Sequence, residues 1–338
     1  MKDLATLEKQ LLAPSQDLIS DMQTLDGDIL LLGVGGKMGP SLAVLAKQAL
    51  IAAGKDNAVI GVSRFSDSSL QQDLESQGVQ TIKADLLDNE QLESLPAVKN
   101  VIFMAGTKFG TTGKESFTWA MNAYLPGKVA EKFRNSKIVV FSTGNVYPFV
   151  PVYSGGATEE TTPGPVGEYA QSCLGRERMF EHFSNLYQIP TLIYRLNYAI
   201  DFKYGVLLEI AKSVLEGKEI DLSTGHVNVI WQGDANEYAL RAFKFCESPP
   251  RKLNITGPET VSIRWAAEEF GKIFNKKPLF VNEEQPTALL NNASTAHQLF
   301  GYPKVSLKAM IEVLTIWLSS GGDTINKPTH FQERKGAF

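Results

Sequence analysis

Cysteine is nearly missing from this chain: its 338 residues hold two, Cys173 and Cys246. Two thiols build no disulfide framework and point to a reducing compartment, so the cytoplasm is the expected location. A cationic surplus is missing too. Lys and Arg number 33 against 37 Asp and Glu, a net charge of −4, and no basic stripe exists to neutralise nucleic-acid phosphates. No apolar run reaches membrane-spanning length, and MKDLATLEKQLLAPSQ lacks the basic-then-apolar build of a signal peptide. The four histidines (His182, His226, His297, His330) are scattered with no zinc-ligand spacing, so no metal is expected. Repeats and low-complexity tracts are absent as well. What is present, 43% hydrophobic and 21% charged residues, is the composition of a soluble globular protein long enough for two closely joined domains.

The apolar runs set the architecture. DILLLGVGG reads as a buried strand closing in glycines, and SLAVLAKQALIAAG as an amphipathic helix stopping at Gly54. AVIGVSRF, VQTIKADL, NVIFMAG and KIVVFSTGNVY are further strands, and a helix is expected around residues 120–133. Strands alternating with helices at this spacing predict parallel βαβ units, hence an α/β fold with a doubly wound, Rossmann-type parallel sheet. After PTLIYRL the rhythm breaks into short strands and helices, which predicts a smaller C-terminal α+β substrate domain. The expected division is a helical leader at 1–27 and a dinucleotide-binding domain at 28–196, completed by about 222–248. A substrate-binding domain at 197–221 and 249–320 and a tail at 321–338 make up the rest.

GVGGKMG is the first stretch with chemistry in it. The spacing G-x-x-G-x-x-G fits Gly33, Gly36 and Gly39, between an apolar strand and a helix. Glycines let a backbone approach a pyrophosphate whose charge the helix N-terminus then stabilises. Gly35, Lys37 and Met38 complete that cradle, with Lys37 as a counter-charge. A glycine-dependent turn without a ligand is the plainer reading; the ordered context favours a dinucleotide. At the end of the next strand stand Ser63 and Arg64 in place of an acidic residue. An arginine can pair with a 2′-phosphate in a fork, so NADP is expected in preference to NAD.

Taken together these motifs resemble the extended short-chain dehydrogenase/reductases of the NAD-dependent epimerase/dehydratase family. KADLLD resembles the family's adenine-contacting segment, which puts Asp85 and Leu86 beside the adenine. FMAGTKFG resembles the strand end under the nicotinamide ribose, with Ala105, Gly106 and Lys108. VVFSTGNVY resembles the strand that bears the catalytic hydroxyl, which the resemblance assigns to Thr143, with Ser142 before it among the cofactor contacts. Asn122 falls where the family often has a relay asparagine, although Pro126 behind it predicts a kink or a helix start. EYAQSCLGRE matches the Y-x-x-x-K helix with Tyr169 as the proton-exchanging group, except that Cys173 replaces the lysine. Two further departures are the missing Gly-Pro after RLNYAI and the missing nucleotide-clasping arginine, where Val227 and Asn228 stand. The resemblance covers 28 to about 320 and implies a homodimer built on the stretches 120–133 and 168–186.

Losing the lysine has a definite consequence. One ammonium at ~5 Å and an effective dielectric of ~20 favours a phenolate by ~3 kcal/mol, about two pKa units. A neutral thiol supplies none of this. The expected function is therefore an NAD(P)-dependent oxidoreductase or epimerase acting on a sugar-like or small alcohol or ketone, slowed or biased toward reduction. The competing expectation is a non-catalytic dinucleotide-binding protein, a sensor or assembly partner, on the same fold.

Overall fold

The run Ile29–Leu32 offers no polar position, so it can rest only where both faces of a sheet are covered. In the computed structural model, which describes residues 11–108 and 113–336, it is β1, buried along its whole length. The first ten residues of the expected leader, residues 109–112 of the strand-four stretch and the last two of the tail lie outside the described residues. β2 (Val59–Ser63), β3 (Gln80–Lys83), β4 (Asn100–Phe103) and β5 (Lys137–Thr143) pair with it or with each other in parallel. With β7 (Thr191–Leu196) and β12 (Arg251–Ile255) they form a seven-stranded sheet ordered β12-β7-β5-β4-β1-β2-β3. The order runs outward on both sides of β1, the doubly wound pattern the alternation predicts, and it reverses between β1 and β4.

The chain divides into two compact units, one of Met1–Ser142, Glu168–Arg195 and Asn236–Leu253, the other of Thr143–Gly167, Leu196–Ala235 and Asn254–Phe338. In the first, α1 (Gln16–Thr24) opens where Ser15 accepts the Leu18 N–H at 3.1 Å, and it buries Leu18 and Met22 one turn apart. Asp21 fastens it to Arg241 at 3.0 Å and Lys244 at 2.7 Å. α2 (Gly39–Ala52), α3 (Ser68–Ser76) and α4 (Asn89–Glu93) follow the strands in turn. The helix expected around 120–133 is interrupted. α5 (Glu115–Trp119) runs into a π-helical turn, Ala120–Tyr124, where the Leu125 N–H reaches back five residues to the Ala120 carbonyl, and α6 (Leu125–Lys132) resumes. Pro126 has no N–H to offer Asn122, so the α ladder cannot continue through this point.

The long α7 (Gly167–Tyr187) buries two of its charged residues, Arg176 and Glu177. Glu177, fully buried, accepts from Arg195 on β7 at 3.0 and 2.6 Å and from the Ser142 hydroxyl at 2.6 Å.

In the second unit, β6 (Val150–Pro151) pairs with β15 (Thr287–Ala288), so residues 143–167 belong here and not with the expected dinucleotide-binding span. The reason is that the chain leaves the sheet at Thr143. Short pairs join β8 (Ala199–Ile200) to β11 (Ile230–Trp231), β9 (Glu219–Asp221) to β14 (Leu279–Val281), and β10 (His226–Val227) to β13 (Val261–Ser262). α8 (Val206–Glu216) packs on α10 (Ile263–Phe274) and α12 (Leu307–Ser319). Among the described residues, further helices are α9 (Gln232–Arg241), most of which belongs to the first unit, and α11 (Ser294–Phe300). Phe202 meets Trp231 and Trp317 at ring separations of 5.0 and 4.9 Å, aromatic surface that anchors this core. No helix among the described residues is long and apolar enough to cross a membrane.

The buried pair yields a test. Arg195→Met leaves the Glu177 carboxylate buried without its cation, which costs about 3–5 kcal/mol. Urea unfolding should show that loss, and Arg195→Met combined with Glu177→Met should recover most of it; additive losses would contradict the pairing.

Candidate active site

The reversal of strand order leaves a crevice outside the ends of β1 and β4, and the glycine loop forms its floor. Gly33 has φ +97°, and a side chain there would lie 2.6 Å from the backbone of Ala105, just past β4. Gly35 lies against the Ser63 hydroxyl. Gly36 differs from both: a Cβ on it would meet only the Gly33 carbonyl oxygen, at 3.5 Å, an ordinary contact. α2 starts directly afterwards with no acidic residue in its first turn. Bare glycine backbone next to a helix N-terminus suits a pyrophosphate.

The crevice is a cleft of about 520 Å³, the size that takes a nucleotide cofactor. Gly33, Gly35, Gly36, Ser63, Arg64, Asp85, Leu86, Ala105 and Gly106 all line it, which brings nine of the expected cofactor contacts together. Lys37, Met38 and Gly39 sit on the same loop but outside the cleft wall, because the chain is already turning into α2. Arg64 is exposed at the rim. Asp85 accepts the Leu87 N–H at 3.0 Å, which shapes the segment after β3. Two lining residues had no signal in the sequence. Asp67 spends an oxygen capping α3 through the Ser69 N–H at 2.9 Å, a bond that holds its carboxyl below the usual range. Phe65, buried, takes φ +40°, a left-handed conformation that is rare for an aromatic residue and concentrates at functional sites.

Beyond the β4 end stands a second cluster of the first unit. The Lys108 ammonium lies 5.7 Å from the centre of the Tyr169 ring. Burial pushes the Lys108 amine down to about 8. Cys173 is buried, and burial pushes its thiol up despite the Arg176 guanidinium and a hydrogen bond from Tyr169. Position 173 thus carries a neutral thiol. Arg176, one turn further along α7, is also buried. It donates to the Phe141 carbonyl at 2.6 Å and the Asn122 carboxamide oxygen at 2.9 Å, and lies 5.4 Å from the Phe103 ring. Nothing in RERMFE distinguishes this arginine from a solvated one. Asn122 is spent within the protein: it accepts from the Thr107 N–H at 2.9 Å and donates to the Thr107 carbonyl at 2.9 Å and the Ser172 hydroxyl at 3.0 Å. Ser142 likewise gives its hydroxyl proton to Glu177.

Thr143 belongs to the second unit. Its hydroxyl donates to the Asn145 side chain at 3.0 Å and accepts the Asn145 N–H at 3.2 Å, capping the turn that ends β5.

The fold and the cleft define a dinucleotide-binding α/β protein of the Rossmann type. The chain belongs to the NAD dependent epimerase/dehydratase family, whose model matches residues 29–235, more than half of the sequence, and it is an enzyme of that class. No curated protein matches it. Solved structures share its fold at low identity. Pal from Bacillus thuringiensis is 18% identical over 87% of this chain and 99% of its own, with a TM-score of 0.71. UDP-glucuronic acid 4-epimerase from Bacillus cereus, in complex with UDP-glucuronic acid and NAD, is 22% identical over 87% and 99%, with a TM-score of 0.68. UDP-glucose 4-epimerase from Thermotoga maritima, with UDP-glucose, is 17% identical over 87% and 99%, at 0.71.

Gly36 gives the cradle a clean test. Gly36→Asp has room to fold, so its melting temperature should stay within about 3 °C of the parent. Its carboxylate enters the phosphate space, so the affinity for NADH and NADPH should fall at least about tenfold. Unchanged affinity would remove the loop from the cofactor site.

Proposed function

We propose that this enzyme interconverts an alcohol and a carbonyl on a sugar-like or small alcohol or ketone substrate, by net reduction or oxidation or by epimerisation. The carrying observation is Tyr169, set beside the Lys108 ammonium in the segment that follows β4. A bound nicotinamide would supply the hydride donor or acceptor. Tyr169 is the proposed group that exchanges a proton with the substrate oxygen, and Thr143 the proposed hydroxyl that hydrogen-bonds the substrate. Lys108 steadies the cofactor ribose. The charge that the family places at position 173 comes from Lys108 and Arg176 instead, both close enough to act on the Cys173 thiol. These two cations weigh against the reading of a dinucleotide-binding protein without turnover, which rests on Cys173 alone. The UDP-sugars bound by the structural neighbours support a sugar-like substrate, and their NAD supports a nicotinamide nucleotide.

Of the two nucleotides, NADP fits the rim better. Arg64 can fork onto a 2′-phosphate, while Asp67 is engaged in capping α3. The proposed assembly is a homodimer through the two helical stretches that expose Trp119, Tyr124 and Leu186. The cytoplasm is its proposed location.

Two measurements test this reading. Arg64→Ala should weaken NADPH at least about tenfold while leaving NADH within about twofold; equal effects on both would refute the NADP preference. The Lys108 charge is complete well below pH 8 and lost as pH rises through about 8. Cofactor affinity should therefore fall across that window, with the inflection absent in Lys108→Met. A parent profile that is flat from pH 6.5 to about 9.5 would exclude Lys108 from the site.

A further inference from the structure

The second unit holds a pocket beside Asn145, two residues past Thr143, walled by Tyr147, Phe149, Val166, Tyr198 and Leu289. Its remaining wall is the chain's own segment after residue 330: Phe331, Glu333, Arg334 and Gly336. With that segment in place only about 20 Å³ stays open, room for roughly one water.

The segment is fastened at closely spaced points. The Thr329 N–H donates to Glu209 at 2.8 Å, and Phe331 is buried. The Arg334 guanidinium lies 4.2 Å from the centre of the Phe149 ring and donates to the Thr287 carbonyl at 2.8 Å and its hydroxyl at 2.7 Å. Gly336 then passes directly over Gly167, backbone on backbone, with φ +79° and +83°, and a side chain on either would collide with the other. Ordering such a stretch costs conformational entropy, which these contacts offset. They do so by using an aromatic face and hydrogen-bonding groups of the kind a ligand would use.

We propose that residues 331–336, latched by Arg334, are a specificity-determining segment that fills the outer part of the substrate pocket. The site then takes a small alcohol or ketone and excludes a nucleotide-linked sugar. This rests on the reading of Thr143 as the hydroxyl that meets the substrate, because a molecule reaching Thr143 cannot extend past Asn145 while the segment is seated.

The test compares the parent, Arg334→Ala and a chain ended after Gln332, each first titrated with NADPH and then with UDP-glucose by calorimetry. UDP-glucose should bind both altered chains at least about tenfold more tightly than the parent. Equal affinity in all three, including none in any, overturns the proposal, as does tight binding by the parent. In case the shortened chain does not fold, Asn145→Cys serves as a second probe. Its thiol should react at least about tenfold faster with an aromatic disulfide reagent when Arg334 is also alanine, because opening the pocket raises the accessible fraction; equal rates overturn the proposal. A parent that fails to bind NADPH would defeat the nucleotide reading instead, and the labelling comparison would still decide whether the segment seals the pocket.

Discussion

Where the sheet reverses its strand order, the backbone of Gly33 rests on the backbone of Ala105 with no space for a side chain. Much of the first unit is positioned from this contact. It brings the loop after β1 down onto the end of β4, so that Gly33, Gly35, Gly36, Ala105 and Gly106 line one cleft. It also brings the loop after β4, with Lys108, out on the same side. Any side chain at residue 33 would separate these strand ends and would need a backbone conformation that only glycine takes readily.

The distribution of buried charge follows a related economy. An ammonium at position 173 would need acceptors of its own inside the α7 face. A thiol there needs none, and burial keeps it neutral. The guanidinium of Arg176 sits equally deep but has a carbonyl, a carboxamide oxygen and the Phe103 ring as partners. A planar, weakly hydrated cation tolerates such a setting better than an ammonium does. Helix α7 thus carries a buried cation three residues beyond Cys173, while a second cation, Lys108, lies 5.7 Å from the centre of the Tyr169 ring.

Much of this was legible in the residues. Runs such as Ile29–Leu32 and Asn100–Phe103 admit only buried strands, and their alternation with helices fixed the doubly wound order. Pro126 announced an irregular helix, though a missing N–H alone does not distinguish a kink from the π turn that forms. The Arg195–Glu177 pair was hidden, because a charged residue in a sequence reads as solvated until its partner, 18 positions away, is seen beside it. Phe65 was hidden because a positive φ at a bulky residue follows from tertiary packing and has no local signature. Residues 143–167 were assigned by their place between two sheet strands, whereas their pairing partner lies more than a hundred residues away at Thr287–Ala288.

On the proposed function, the same electrostatics bear on the direction of reaction. To oxidise an alcohol the site must hold a phenolate, and a tyrosine with an ordinary pKa of about 10 reaches one at neutral pH only beside a strong, lasting positive charge. Lys108 gives such a charge incompletely, since burial brings its amine to about 8 and a fraction is neutral at cellular pH. The N–H groups of Arg176 point at the Phe141 carbonyl and Asn122, whose dipoles offset part of its field. A phenol is the acid that a carbonyl needs as it accepts hydride, so on the proposed function an incomplete charge beside Tyr169 favours reduction.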